Sequence, residues 1–276
     1  MLPLADLLQF AKQQSVPIEK RRGIIREYLQ TLILFYLQQS TFASKLIFIG
    51  GTALRFFYNL QRFSEDLDFN YLGTLKQEDL LALTRYLQKE LAHENIPMEF
   101  AIRKSKETYF HWKIYLQFPT VLHAYQCGSI KGGKLHAAEK LSIQLDFQNL
   151  GKKRYPVSKK IISHFGKRFL FNTADLDMFL AEKSNAILYR NPGRGRDFFD
   201  FMSIILWGGK INQQFLKMRE VEVKGSNEYK VLMKKRVKQA DFKKLTSQLS
   251  PFLFSGVDVE IMRHFDSHLD DLLKKL

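Results

Sequence analysis

Cysteine is nearly absent from this sequence of 276 residues, which contains only one, Cys127. A single cysteine cannot form an intrachain disulfide or a thiolate-rich zinc site, so both are excluded as structural supports. Proline and glycine are also sparse, with 7 and 15 residues, whereas 45% of the residues are hydrophobic. This composition excludes a mainly disordered chain and favours one large domain or two small ones. A reducing compartment, the cytoplasm, is the expected location.

Long hydrophobic runs are lacking as well. The most apolar stretch near the start covers residues 32–37, far fewer than the roughly 20 residues that a membrane-spanning helix requires. The first residues include Asp6 and show no basic region followed by an apolar run, so they do not resemble a signal peptide. We therefore expect a soluble protein without a membrane anchor.

Positive charge is in clear excess. Lysine and arginine number 43 against 28 acidic residues, which gives a formal net charge of +15 and a pI near 9.7. Such a surface attracts polyanions, and nucleic acid is the usual partner. The basic run at residues 234–244 is either a solvated helix face or an RNA-docking surface, and the sequence leaves both open.

Apolar spacing predicts a mixed first half of the chain. Helices are expected at residues 4–39, with a turn at Pro17, and at 77–95, with short strands at 45–49 and 66–69. Three antiparallel strands are expected at 98–103, 108–118 and 141–147, with Gly128, Gly132 and Gly133 in one of the turns.

The second half is predicted to be helical. Residues 175–190 and 198–207 show helical patterns, separated by a loop rich in glycine and proline, and the lysine-rich remainder continues in helices. We therefore expect an α/β (α+β) fold with a mixed sheet flanked by helices over residues 1–165. A helical domain over residues 166–276 would complete the active-site cleft.

The most informative residues are two glycines and two aspartates. Gly50 and Gly51 end a short apolar strand and begin a helix, and Asp66 and Asp68 follow in a second strand. Carboxylates two apart on a strand point to the same face and repel each other unless a cation lies between them. The glycine turn offers backbone N–H groups to phosphate. Either feature alone is common, but their succession around one helix favours a site for Mg²⁺ or Mn²⁺ and phosphate.

Asp146 is the candidate for a third carboxylate. It lies in the apolar segment 141–147, where a charge is costly unless it is paired or bound to a metal. The alternative interpretation is a strand-end aspartate that faces solvent.

These motifs resemble those of the AbiEii/AbiGii-type nucleotidyltransferase toxins of type IV toxin–antitoxin systems, which are similar to the MenT toxins. The resemblance rests on Gly-Gly-Thr-Ala-Leu from Gly50 and on Arg-Phe-Ser-Glu-Asp-Leu-Asp-Phe from Arg62. Leu-Ala-Glu-Lys ending at Lys183 and Arg-Asp-Phe-Phe-Asp from Arg196 match a second pair of blocks, and residues 229–252 match a tail more loosely.

The resemblance implies a role for each matching residue. Gly50, Gly51 and Thr52 would hold the nucleotide phosphates, with Ser64 just before the metal pair. Asp66 and Asp68 would hold the metal, and Asp146, singled out by its place in an apolar strand, is the candidate third ligand. Lys183 and Arg196 would meet the triphosphate, and either Asp197 or Asp200 would be a further essential carboxylate, with Asp197 favoured. Where many nucleotidyltransferases have Gly-Ser, this chain has Gly-Gly, and the hydroxyl of Thr52 is a partial replacement.

The implied activity is transfer of a nucleotide from an NTP to an acceptor, in the best-understood members the 3′ end of tRNA, with Mg²⁺ or Mn²⁺ as cofactor. A cognate antitoxin is the implied partner. Two alternatives stay open: an enzyme that nucleotidylates a protein, and a catalytically idle nucleotide-binding protein.

Overall fold

The computed structural model describes residues 1–104, 111–127, 136, 138–150 and 154–276. The first residues of the strand predicted at 108–118, and the predicted turn with Gly128, Gly132 and Gly133, lie outside these ranges. The helices and strands, numbered in chain order, are α1 Leu4–Gln13, α2 Arg21–Gln39, β1 Leu46–Ile49, α3 Gly50–Tyr58, β2 Leu67–Tyr71, α4 Gln77–His93, β3 Glu99–Lys104, β4 His111–Phe118, α5 Val121–Ala124, β5 Leu141–Asn149, β6 Val157–His164, β7 Lys167–Ala174, α6 Leu176–Tyr189, α7 Gly195–Leu206, α8 Gln213–Met218, α9 Ser226–Lys238, α10 Phe242–Leu249, α11 Gly256–Arg263 and α12 Phe265–Lys274.

The chain folds into two compact units. The first unit comprises Met1–Tyr58, Phe63–Lys152 and Lys159–Thr173, and the second comprises Asn59–Arg62, Lys153–Ser158 and Ala174–Leu276. The short segment 59–62, which contains the arginine of the first motif, thus belongs to the second unit although it is surrounded in sequence by the first.

The first unit is built on a mixed sheet with the strand order β3-β4-β5-β2-β1-β7-β6. Strands β3, β4 and β5 pair antiparallel, which confirms the predicted meander. Strand β5 pairs in parallel with β2, and β2 pairs antiparallel with β1. Alternate residues of β5 are fully buried, as expected for a strand with one face on the core.

Helix α2 lies in the core of this unit and is buried on most of its sides. Most of α2 is buried, and so are the aromatic rings of Phe48, Phe69 and Phe147 on three neighbouring strands. The rings of Phe69 and Phe147 stack with centroids 5.3 Å apart. One charged residue of α2, Glu27, is also buried and pairs with Arg55 of α3 at 2.7 Å. A mixed sheet flanked by helices confirms the predicted fold class.

The second unit consists mainly of helices α6 to α12. Phe198, Phe242 and Phe265 form an aromatic cluster at its centre, with ring centroids 5.1 to 5.5 Å apart. In the described part of the chain, no helix has the length and apolar character required to cross a membrane.

Candidate active site

The glycine turn lies directly against the carboxylate of Asp68. Helix α3 begins at Gly50 immediately after β1, and Gly50 has a φ of +76°. A Cβ atom at this position would lie 2.8 Å from the carboxyl carbon of Asp68. Both the left-handed backbone and this close approach require glycine. The start of α3 and the predicted metal pair are therefore parts of one local structure.

Thr52 uses its hydroxyl within the protein. Its side chain is fully buried, and Oγ1 donates a hydrogen bond to the backbone carbonyl of Asp66. The hydroxyl thus joins the first turn of α3 to the residue that precedes β2. Its predicted contact with nucleotide phosphate is not visible in this arrangement and stays a prediction.

Two of the three candidate metal ligands, Asp68 and Asp146, lie on neighbouring strands. Strand β2 begins at Leu67, so Asp66 lies just before it, whereas Asp68 lies within it. Asp146 on β5 is the direct register partner of Asp68. Since side chains opposite each other in a ladder share a face of the sheet, Asp68 and Asp146 lie side by side.

Asp146 is only partly satisfied by its neighbours. Gln144 donates a hydrogen bond of 2.7 Å to Oδ2. Lys113, its register partner on β4, places Nζ 3.6 Å from Oδ1. Oδ1 is buried and has no hydrogen-bond partner. The ion pair with Lys113 offsets part of the cost of burying this oxygen, and a hydrogen-bond donor or a metal cation would offset more of it.

The residues present fit a divalent cation of the Mg²⁺ type. Among the residues that the structure describes, no three histidine, cysteine, aspartate or glutamate side chains are grouped as a metal site. However, Mg²⁺ is commonly held by one or two carboxylates, with water and substrate phosphate oxygens as its remaining ligands. Asp68 and Asp146 are adjacent, and Oδ1 of Asp146 has no hydrogen-bond partner. This pair of carboxylates meets that requirement. The contribution of Asp66 stays a prediction.

A second cluster of charges lies inside the second unit. Lys183 on α6 places Nζ 2.7 Å from Asp200 Oδ2 and 3.2 Å from Asp197 Oδ1. Asp200 also accepts two hydrogen bonds of 2.7 Å from the guanidinium of Arg62, and Asp197 pairs with Arg190. Only 8% of Lys183 is exposed, so it is not a solvated surface lysine.

The charges of this cluster stabilise one another. Burial alone would lower the pKa of Lys183, but Asp200 and Asp197 outweigh it and raise that pKa above its ordinary value. Burial alone would raise the pKa of Asp200, yet Arg62 and Lys183 hold it below its ordinary value. Lys183 and Asp200 are therefore both charged at neutral pH, in a paired arrangement.

The structure thus separates the predicted site residues into two groups. Gly50, Asp68 and Asp146 are adjacent in the first unit, whereas Lys183 and both candidate carboxylates of α7 contact one another in the second. Ser64 is nearly buried, and Arg196 is half-buried in the first turn of α7. The sequence left open whether Asp197 or Asp200 is the essential carboxylate, and the contacts do not separate them, since each is buried and paired with Lys183 and an arginine.

Sequence reasoning assigned no role to Arg62. This residue belongs to the first motif, but its bidentate partner Asp200 belongs to the second. A fully charged residue that is only 2% exposed is rare unless it is paired. The available signal was the presence of both residues within matched blocks, which does not by itself indicate that they contact each other.

A family model matches most of the chain. The model of the family described as nucleotidyl transferase AbiEii toxin, type IV toxin–antitoxin system, matches residues 32–271. No curated protein matches the chain in sequence.

Two solved structures share the fold. MenT4, a nucleotidyltransferase toxin from Mycobacterium tuberculosis, aligns over 100% of this chain and 91% of its own, with a TM-score of 0.55 and 14% identity. JHP933 from Helicobacter pylori aligns over 91% of this chain and 90% of its own, with a TM-score of 0.50 and 17% identity. At such identities the likeness shows a common fold and no more.

Proposed function

The chain belongs to the AbiEii nucleotidyl transferase toxin family of type IV toxin–antitoxin systems, and we propose that it transfers a nucleoside monophosphate from an NTP to the 3′ end of tRNA. The reaction would depend on Mg²⁺ or Mn²⁺. The observation that carries this proposal is the contact between the Gly50 turn and Asp68, which lies opposite Asp146. A phosphate-binding turn beside paired carboxylates is what nucleotide transfer requires.

The residues of the first unit would bind and orient the NTP. Asp68 and Asp146, with Asp66, would hold the metal. When bound, the metal would lower the pKa of the attacking hydroxyl and steady the charge on the leaving pyrophosphate. The backbone N–H groups of Gly50 and Gly51 would bind phosphate oxygens at the start of α3. Holding the triphosphate in line with the acceptor is the main contribution that such a site makes to the rate.

The role of the second unit is proposed from the family blocks. Lys183 and Arg196 would neutralise triphosphate charge, and Asp197 is favoured over Asp200 as the essential carboxylate. Because Lys183 already pairs with both aspartates, it would share its charge between them and the substrate. Completion of the active-site cleft by residues 166–276 also stays a prediction.

An RNA acceptor is favoured by the charge of the chain. A net charge of +15 suits a polyanion better than a protein surface of mixed charge. The family implies a cognate antitoxin as a further partner. A protein hydroxyl as acceptor is the second candidate, because the same site would serve it.

One experiment distinguishes these acceptors. Purified protein is incubated with each α-labelled NTP, Mg²⁺ and either total RNA or RNA-free lysate, with Asp68→Asn as the matched control. We expect label in tRNA, a dependence on Mg²⁺, and no label with the control variant. Label in a protein band would favour the second candidate, and saturable NTP binding without transfer would contradict the proposed activity.

A further inference from the structure

The three residues that lead into strand β2 are held in place by side chains of the neighbouring helices. Ser64, Glu65 and Asp66 lie before the first residue of the strand, Leu67. Each of their three carbonyl oxygens accepts a hydrogen bond from a side chain. The position of Asp66 therefore depends on these side chains as well as on the sheet.

Gln30 on helix α2 supplies two of these three hydrogen bonds. Its Nε2 atom lies 3.0 Å from the carbonyl oxygen of Ser64 and 3.0 Å from that of Glu65. The side chain is fully buried, and both hydrogens of the amide are used. Because only the nitrogen end of the amide can donate, these two acceptors also fix its orientation.

Burying the amide of Gln30 carries a free-energy cost, which indicates that the hydrogen bonds it donates have a structural role. The oxygen Oε1 of Gln30 is buried and has no hydrogen-bond partner, which is unfavourable in an apolar core. An aliphatic residue would fill the same place in this largely buried helix without that cost. The two donated bonds are the only benefit that the described contacts offer for a glutamine here.

Arg26 provides a second contact between helix α2 and residues 64–66. It lies four residues before Gln30, so both side chains leave the same face of the helix. Its Nη1 atom pairs with the carboxylate of Glu65 at 3.0 Å. From the other side, Thr52 on α3 binds the carbonyl of Asp66. Helices α2 and α3 thus fix the backbone of residues 64–66, which includes the proposed metal ligand Asp66 and leads to Asp68.

We propose that Gln30 is a positioning residue that sets the metal affinity of the site by fixing the entry to strand β2. This inference rests on the proposed function, since it assumes that Asp66 and Asp68 bind the metal. When residues that orient metal ligands without touching the metal are replaced, metal affinity commonly falls by about 10- to 100-fold.

The test compares Gln30→Met with Thr31→Val. Methionine keeps the size of glutamine but cannot donate, while Thr31 is the adjacent residue, equally buried, and donates only to the carbonyl of Glu27 in its own helix. Both variants lose buried hydrogen bonds and should lower the melting temperature. Mn²⁺ binding is measured by electron paramagnetic resonance, and hydrogen exchange is followed at the amides of residues 66–68.

We expect Gln30→Met to weaken Mn²⁺ binding by about tenfold or more and to accelerate exchange at residues 66–68. Thr31→Val should keep both at the wild-type level. If Gln30→Met does not fold, Gln30→Asn is used, which withdraws the amide by one methylene group.

Mn²⁺ affinity and hydrogen exchange together distinguish a failure of the proposed metal site from a failure of the role proposed for Gln30. If Mn²⁺ affinity and local exchange in the Gln30 variant equal those of Thr31→Val, Gln30 is merely structural and the inference is wrong. If wild-type protein binds no Mn²⁺, the proposed metal pair fails, together with the effect of Gln30 on affinity. Exchange at residues 66–68 then still shows whether Gln30 fixes the segment.

Discussion

The two units of the protein each hold a cluster of charged residues, and the clusters differ in how far their charges are satisfied. In the first unit, Asp68 and Asp146 are like charges side by side, and one buried oxygen of Asp146 has no hydrogen-bond partner. In the second unit, Lys183 and Asp200 are buried in a network whose opposite charges match. A buried carboxylate oxygen without a hydrogen-bond partner is suited to a ligand, whereas removing one member of a buried ion pair leaves its partner uncompensated.

This difference predicts opposite results from mutation. Removing a charge from the first cluster relieves repulsion and costs function, while removing one from the second leaves a buried partner uncompensated and costs stability. Each of the following predictions would either sharpen or break that contrast.

The largest effect is expected at Asp68. Asp68→Asn should lower the rate of nucleotide transfer by about ten-thousandfold, or roughly 5 kcal/mol, because a ligand for the catalytic cation is lost. Its free energy of unfolding should change by less than about 1 kcal/mol, since asparagine keeps the shape of the side chain and relieves like-charge repulsion between adjacent strands. Transfer assays and urea unfolding check both parts. Normal transfer, or a marked loss of stability, would break the contrast.

The next effect is expected at Asp200. Asp200→Ala should lower the free energy of unfolding by about 3 to 4 kcal/mol, because Arg62 and Lys183 lose a buried counter-ion. Asp270→Ala is the matched control, since Asp270 forms an ion pair with Lys234 on the surface. The control should leave the free energy of unfolding nearly unchanged. Equal unfolding curves for the two variants would show that Arg62 and Lys183 do not depend on Asp200 as a counter-ion.

Replacing Lys183 should affect both activity and stability. If it also neutralises triphosphate, Lys183→Ala should raise the KM for NTP by about tenfold, roughly 1.4 kcal/mol, besides lowering stability. Mn²⁺ binding should persist. Lys183→Arg should rescue the KM only in part, because a planar guanidinium replaces a point charge. A wild-type KM in Lys183→Ala, with lower stability, would make Lys183 a structural residue and leave Arg196 as the candidate for the triphosphate contact.

The smallest effect concerns pH. Because the pKa of Asp200 is lowered from its ordinary 3.8, its stabilisation is present above that pH and lost as the pH falls through the lower value of the folded state. Because the pKa of Lys183 is raised from 10.5, its stabilisation is present below that pH and lost as the pH rises further. The stability difference between wild type and Asp200→Asn should therefore be constant from just above pH 3.8 to neutral pH. At higher pH it should change, because Lys183 has lost its largest counter-charge in the variant. Urea unfolding across this range tests it, and a steady decline toward neutral pH would contradict the assignment.

Much of the fold followed from apolar periodicity. The predicted helix over residues 4–39 with its turn at Pro17 is confirmed as α1 and α2, and the predicted meander as β3, β4 and β5. Strands β6 and β7 were not predicted. β6 is an edge strand, and its sequence from Val157 to His164 mixes lysine and serine with isoleucine, because only one face meets the core. Such strands carry a weak apolar signal.

The candidate site could be predicted only where the contacts are local. Gly50 and Asp68 belong to one short motif, so their proximity followed from a strand, a turn and a helix. Arg62 and Asp200 are 138 residues apart in the sequence, and Gln30 and Ser64 are 34 residues apart. A side-chain contact at such distances depends on tertiary packing, which periodicity and spacing do not encode.

The most direct test of the central claim is the fate of the α-phosphate. Wild-type protein and Asp68→Asn are incubated with Mg²⁺, total RNA and NTP labelled at either the α- or the γ-phosphate. Nucleotide transfer at the Asp68 site predicts that wild-type protein attaches the α-label to RNA and releases the γ-label as pyrophosphate, while Asp68→Asn does neither. Attachment of the γ-label, or an equal yield of α-labelled RNA from both proteins, would contradict it.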